Sequence, residues 1–157
     1  MAEVPWLDEE EDRAWRALRR VNLLAMAEIG RDLQADSGLS EADYEVLSTL
    51  SELPGGTGRS RELASAIRWS TSRLSHQLGR MEGRDLVVRR PAPGDGRGSL
   101  VELTDAGLDA IRRAAPHHVR SVRRHVFDHL SPEQIHHLAD IAAAIVSAHT
   151  DESGTSN

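Results

Sequence analysis

The sequence predicts a mainly α-helical chain with one small β-hairpin, and three observations carry that prediction. Apolar residues recur at helical spacing towards both ends of the 157 residues. Two short β-prone runs, 86–90 and 99–103, flank a stretch rich in proline and glycine. Basic charge is gathered around those runs in the middle of the chain.

The first helix is expected over 8–36, where Trp15, Leu18, Leu24, Ala25, Ile29 and Leu33 approach a 3.6-residue period, and Gly38 stops it. Ser40 followed by Asp43 has the spacing of a capping box, so a second helix should bury Tyr44, Val46, Leu47, Leu50 and Leu53. Residues 54–58, Pro-Gly-Gly-Thr-Gly, read as a loop. Ser60 is the expected cap of a short helix with Leu63, Ala64 and Ile67 inside. After a break at Arg68 and Trp69, Ser70 caps a fourth helix. Residues 91–98 should form a hairpin tip between the two β-prone runs. Thr104 caps a fifth helix through Leu108 and Ile111, which Pro116 is expected to interrupt or kink before Val119, Val122 and Val126. Ser131, with Pro132 at the first helical position and Gln134 at the third, opens a sixth helix striped by Ile135, Leu138, Ile141 and Ile145. The expected organisation is a single unit over 1–150 followed by a disordered tail over 151–157.

Hydrophobic residues make up 39% of the chain and charged residues 28%, a composition expected of a globular protein with an aliphatic core. The first twelve residues are acidic and lack the basic start of a secretory signal, and no apolar run approaches the roughly 18 residues of a membrane span, so the cytoplasm is the expected location. The chain has no cysteine, which excludes disulfides, thiolate nucleophiles and thiol redox sensing. A phosphate-binding glycine loop, an HExxH motif and a nucleophile elbow are all missing, so the protein is not expected to be an enzyme and no cofactor is called for.

A net charge of −6 would argue against a nucleic-acid partner if it were spread evenly. It is not. Residues 1–58 carry a net −8 and 101–157 a net −3, whereas 59–100 hold nine Arg against four acids, a net +5. Within that basic segment, Leu74, Leu78 and Met81 share one face of the fourth helix. The other face is expected to present Ser72, Arg73, Ser75, His76, Gln77 and Arg80, side chains able to bind phosphate oxygens or read base edges in a major groove. Arg97 at a glycine-flanked hairpin tip can enter a minor groove, with Asp95 holding it. Two helices, a tight turn and a basic hairpin in this order describe a winged helix-turn-helix lobe.

These segments also resemble one family. Residues 39–47 (LSEADYEVL), 62–64 (ELA), 69–82 (WSTSRLSHQLGRME), 95–97 (DGR) and 103–107 (LTDAG) are similar to those of multiple-antibiotic-resistance (MarR) regulators, over nearly the whole chain. The resemblance implies a homodimer built through helices at 8–36 and 105–149, with a winged helix-turn-helix lobe over 40–104 binding double-stranded DNA at a palindromic operator, often as a repressor. Carried over by position, it makes Ser70 to Glu82 the recognition helix, beginning with Ser70 and Thr71, and places Asp95 and Arg97 in the wing motif. Thr71 stands where many relatives have Arg, and Asp85 where many have Gly. A small aromatic or amphipathic effector is also implied, in a crevice that Trp15, Met26, Tyr44 and Trp69 would border.

Two other readings stay open on the sequence. A winged helix can bind protein instead of DNA. Of the eight histidines, His125 and His129 lie one helical turn apart, with His117, His118, His136 and His137 nearby, which suggests a zinc-responsive regulator. No metal ligand set is assigned, because the first 75 residues hold neither Cys nor His.

Overall fold

The computed structural model describes residues 4–92 and 98–151, and the chain forms two compact units, Met1–Ser121 and Val122–Asn157. In the first, α1 (Glu9–Ser37) and α2 (Glu41–Ser51) precede β1 (Thr57–Arg59), α3 (Ser60–Ala66) and α4 (Thr71–Glu82). β2 (Val87–Pro91), β3 (Ser99–Leu103) and α5 (Asp105–His125) follow, α5 continuing into the second unit. The second unit is completed by a 3-10 turn at Phe127–His129 and by α6 (Pro132–Asp151).

Local chemistry sets the helix ends. Asp8 caps α1 by accepting the backbone N–H groups of Glu10 and Glu11, each at 2.8 Å, and Glu11 reaches back to the Asp8 N–H. Four acids in the first turn favour the positive end of the helix dipole, and Gly38 closes the helix at φ 68°. The expected apolar stripe of α1 is covered over its second half, where Ala25, Ile29 and Leu33 are buried. Trp15, Leu18 and Leu24 remain half exposed within the single chain.

The core of the first unit gathers Val46, Leu47 and Leu50 of α2, Leu63 and Ala64 of α3, Leu74, Leu78 and Met81 of α4, Val101 of β3, and Ile111 and Ala114 of α5. Leu53, expected inside α2, falls beyond its end and stays partly exposed. The expected loop over 54–58 is a 3-10 turn at Pro54–Gly56 running directly into β1. β1 pairs antiparallel with β3, Gly58 opposite Val101, giving a three-stranded sheet in the order β1-β3-β2. Three residues are too short to show a period of two in sequence.

β1 also displaces the expected cap of α3. Arg59 takes the N-cap position without a side-chain hydrogen bond, while the Ser60 hydroxyl lies 2.6 Å from that of Ser99 on β3. Ser70 caps α4 as expected, accepting the Arg73 N–H at 3.2 Å. α5 runs through Pro116 without interruption. Pro116 sits on the exposed side of the helix, where water can satisfy the carbonyl its missing N–H leaves unpaired.

The junction from α4 through β2 to α5 is tight. Asp85 adopts the left-handed conformation at φ 57°, which Asp tolerates better than most side chains. Thr104 donates its hydroxyl to the Asp85 carbonyl and accepts the Gly107 N–H at 2.9 Å, capping α5. A Cβ on Gly107 would stand 1.9 Å from the Leu86 carbonyl oxygen, so glycine is required by close approach.

In the second unit, Ser131 and Gln134 form the expected reciprocal cap of α6. Ile135, Leu138, Ile141 and Ile145 are between 37% and 58% exposed, an apolar stripe not covered within the chain. The expected disordered tail falls mostly on 152–157, outside the described residues. Among the described residues no helix is long and apolar enough to cross a membrane, and no three His, Asp or Glu side chains are grouped as metal ligands.

Candidate nucleic-acid interface

α3, the turn at 67–70 and α4 make a helix-turn-helix whose second helix buries one face and presents the other. Leu74, Leu78 and Met81 are at most 1% exposed. Thr71, Ser72, Arg73, Ser75, His76 and Arg80 are exposed. Thr71 and Ser72 lie in the first turn of α4, where free backbone N–H groups and the helix dipole favour an anion. The Arg73 guanidinium lies 4.1 Å from the centroid of the Trp69 ring, a cation–π contact that restrains it at the start of the exposed face.

Gln77 corrects the sequence expectation. It is 2% exposed and points inward, its Nε2 donating to Asp43 Oδ1 at 2.7 Å. A glutamine at helical position i+3 from Leu74 falls on the apolar stripe, and a buried carboxylate on α2 supplies the partner that lets it stay there. Asp43 also accepts from the Ser40 N–H and hydroxyl and from Arg84 Nη1, which lies 2.7 Å away. Burial alone would raise the Asp43 carboxyl, but the Ser40 backbone N–H, the Arg84 guanidinium and the Ser40 hydroxyl outweigh it and hold it below its ordinary range.

Among the described residues, the hairpin adds two cationic side chains, both paired. Arg89 donates Nε to Glu82 at 2.8 Å and Nη1 to the Ser75 hydroxyl at 3.5 Å, tying the end of α4 to β2. The side-chain hydrogen bond from Arg89 outweighs the opposing effect of burial and, with the Arg89 backbone N–H and charge, holds the Glu82 carboxyl below its ordinary range. The sole acid of α4 is thereby neutralised. Arg90 pairs with Glu102 across the hairpin at 2.8 Å. Asp95 and Arg97, the wing residues expected to reach DNA, lie outside the described residues.

Sequence reasoning missed one part of this surface. A cleft of about 510 Å³ is lined by Arg59, Ser60, Arg61, Glu62 and Thr71, together with Gly98 and Ser99 beside the hairpin tip. It joins the start of α3, the start of α4 and the base of the wing, and it exists because β1 adds to the sheet. Recognising the Thr57-Gly58-Arg59 strand would have placed Arg59 and Arg61 beside the start of α4.

The four residues expected around an effector are not all brought to one place by the lobe core. Tyr44 and Trp69 are half-buried against it. Tyr44 is occupied by the ring of His118, with centroids 4.2 Å apart. Burial lowers the His118 pKa while Glu41 works in the opposite direction. Trp15 and Met26 are exposed on α1, and Trp15 lines a surface groove with Leu18 and Leu23.

A model of the MarR family matches residues 37–98, which hold the helix-turn-helix and the first strand of the hairpin. The solved structure of AbsC, a MarR family transcriptional regulator from Streptomyces coelicolor, is 44% identical with a TM-score of 0.86, covering 95% of this chain and 99% of that one. Sco3205, a MarR family regulator from the same organism solved in complex with DNA, is 38% identical with a TM-score of 0.86, over 91% of this chain and 90% of its own. The HTH-type transcriptional regulator PecS of Dickeya dadantii is 29% identical over 137 residues, 87% of this chain and 81% of PecS.

Proposed function

Because the chain belongs to the MarR family of transcriptional regulators, we propose that it binds double-stranded DNA as a homodimer at a palindromic operator, acts in the cytoplasm as a repressor, and is released by a small aromatic or amphipathic effector. The observation that carries the DNA-binding part is the exposed face of α4. It presents Thr71, Ser72, Arg73, Ser75, His76 and Arg80, and its sole acid, Glu82, is neutralised by Arg89. That face holds no apolar side chain, which disfavours the alternative of a protein-binding winged helix.

In this reading α4 lies in the major groove, and Arg73 and Arg80 are the side chains able to make bidentate base or phosphate contacts. The cleft with Arg61, Ser60 and Thr71 receives the phosphate backbone beside it. Arg97 is assigned to the minor groove with Asp95 holding it, and the family resemblance places both in the wing motif. The uncovered apolar residues of α1, and separately those of α6, are surfaces that a second copy would cover. The effector part rests on the resemblance, with Trp15, Met26, Tyr44 and Trp69 as its residues.

Selection of bound duplexes from a random-sequence library tests the proposal. A symmetric dimer should enrich an inverted repeat with half-site centres about one helical turn, roughly 10 bp, apart. Enrichment of no sequence, or of an unrepeated half-site, contradicts it.

A further inference from the structure

We propose that Gln77 is a buried positioning residue for DNA reading: anchored on Asp43, its amide fixes where the Arg80 guanidinium stands on the exposed face of α4. This rests on the DNA-binding reading above and assigns Gln77 a part in that same site, without contact to DNA.

The geometry supplies a continuous line of polarity from the lobe core to its surface. Asp43 is 2% exposed, and its Oδ2 accepts from the Ser40 N–H at 2.9 Å, the Ser40 hydroxyl at 2.8 Å and Arg84 Nη1 at 2.7 Å. Arg84 is itself held by the Gly38 carbonyl at 3.0 Å, so the carboxylate is fixed from α2, the α1–α2 corner and the turn after α4. Its other oxygen, Oδ1, accepts Gln77 Nε2 at 2.7 Å. One turn further along α4, Gln77 Oε1 accepts Arg80 Nη2.

The orientation of the Gln77 amide is dictated, not chosen. An ionised carboxylate accepts hydrogen bonds and donates none, so the amide must turn its NH2 group inward. Its oxygen then has to face the surface, where a guanidinium is the matching donor. The reversed amide would set oxygen against carboxylate and NH2 against guanidinium. Arginine carries large rotamer freedom, and a side chain already held in place loses less of it on binding. A glutamine within an otherwise apolar stripe thus acts on DNA through Arg80.

The simpler account is that Gln77 does no more than satisfy the buried Asp43. A double-mutant cycle on the full chain separates the two, using Gln77→Met, which keeps the side-chain length but deletes both hydrogen bonds, and Arg80→Ala. Affinity for the library-selected duplex is read by fluorescence anisotropy at a temperature where circular dichroism shows all four proteins folded. Arg80→Ala is expected to weaken binding about tenfold, the effect of losing one good polar contact. Gln77→Met should weaken it comparably, and adding Gln77→Met to Arg80→Ala should change affinity by less than about twofold.

Both single variants should also relax base preference at the same operator position. Binding by Gln77→Met within about twofold of wild type, or penalties that multiply in the double variant, overturns the proposal. Asp43→Asn, which keeps the side-chain shape but lets the Gln77 amide turn either way, gives a second cycle with Arg80→Ala that must show the same coupling. Failure of the wild-type protein to prefer the selected duplex is a separate result, and it refutes the DNA-binding reading instead.

Discussion

Asp43→Ala should destabilise the protein more than any comparable change at an exposed carboxylate, because the side chain is the meeting point of α2, α4 and the turn after α4. The substitution removes the acceptor of two hydrogen bonds from Ser40 and one each from Gln77 and Arg84. Hydrogen bonds to a charged group contribute about 1.5–3 kcal/mol each, but they are not additive, and Arg84, at 45% side-chain exposure, can return to water. The buried Gln77 amide cannot, and leaving it without its acceptor costs about 1–3 kcal/mol. Losing the Asp43 half of the α2 capping box adds about 1 kcal/mol. A loss of about 3 kcal/mol follows, a large part of the roughly 5–15 kcal/mol by which a domain is stable.

Urea unfolding at a fixed chain concentration reads this loss, with Glu45→Ala on the exposed side of α2 as a control expected to stay within about 0.5 kcal/mol. The pH dependence has a definite sign. The folded-state pKa of Asp43 lies below its ordinary value of 3.8, so its contribution is fully present above that value and is lost as pH falls through the depressed folded value. The gap between wild type and Asp43→Ala should therefore hold from neutral pH to about pH 5 and close in stronger acid. A wild type and variant of equal stability at neutral pH would refute the network's role.

Gly107→Ala should destabilise by about 1–3 kcal/mol in thermal or urea unfolding, since the added methyl meets the Leu86 backbone oxygen and the backbone has to move. Unchanged stability would mean that α5 does not approach the Leu86 backbone this closely. Asp85→Gly should raise stability by about 0.5 kcal/mol by relieving the left-handed backbone, and a loss on unfolding assays would contradict that strain. Arg73→Ala should weaken binding to the selected duplex about tenfold while lowering the salt slope by about one if the contact is to phosphate, measured by titration across a salt series. Equal affinity for Arg73→Ala and wild type would remove Arg73 from the interface.

Most of the fold was legible because its signals are local. Asp43 and Ser40 announce the start of α2, Ser70 that of α4, and Ser131 with Gln134 that of α6, each through contacts within a few residues. The features that escaped depend on partners distant in sequence. β1 exists through pairing with β3, some forty residues on, and it is this pairing that replaces the Ser60 cap and opens the Arg61 cleft. Gln77 read as an exposed polar residue because nothing in the helix itself reveals that Asp43, on another helix, waits beneath it. Pro116 read as a break because its cost depends on whether the affected carbonyl faces water. Helical periodicity is enough to put Ser72, Arg73, Ser75, His76 and Arg80 on the exposed face of α4, whereas the neutralisation of Glu82 by Arg89 requires the folded hairpin.

Sequence-specific DNA binding by this chain is tested by a fluorescence-anisotropy titration of the full chain against the library-selected duplex and a scrambled duplex of equal length, across a salt series. The selected duplex should bind at least about a thousandfold more tightly at physiological salt, with affinity falling linearly on logarithmic axes as salt rises. Equal affinity for the two duplexes, or no binding to either at low salt, would contradict it and leave the exposed face of α4 to a partner other than a DNA sequence.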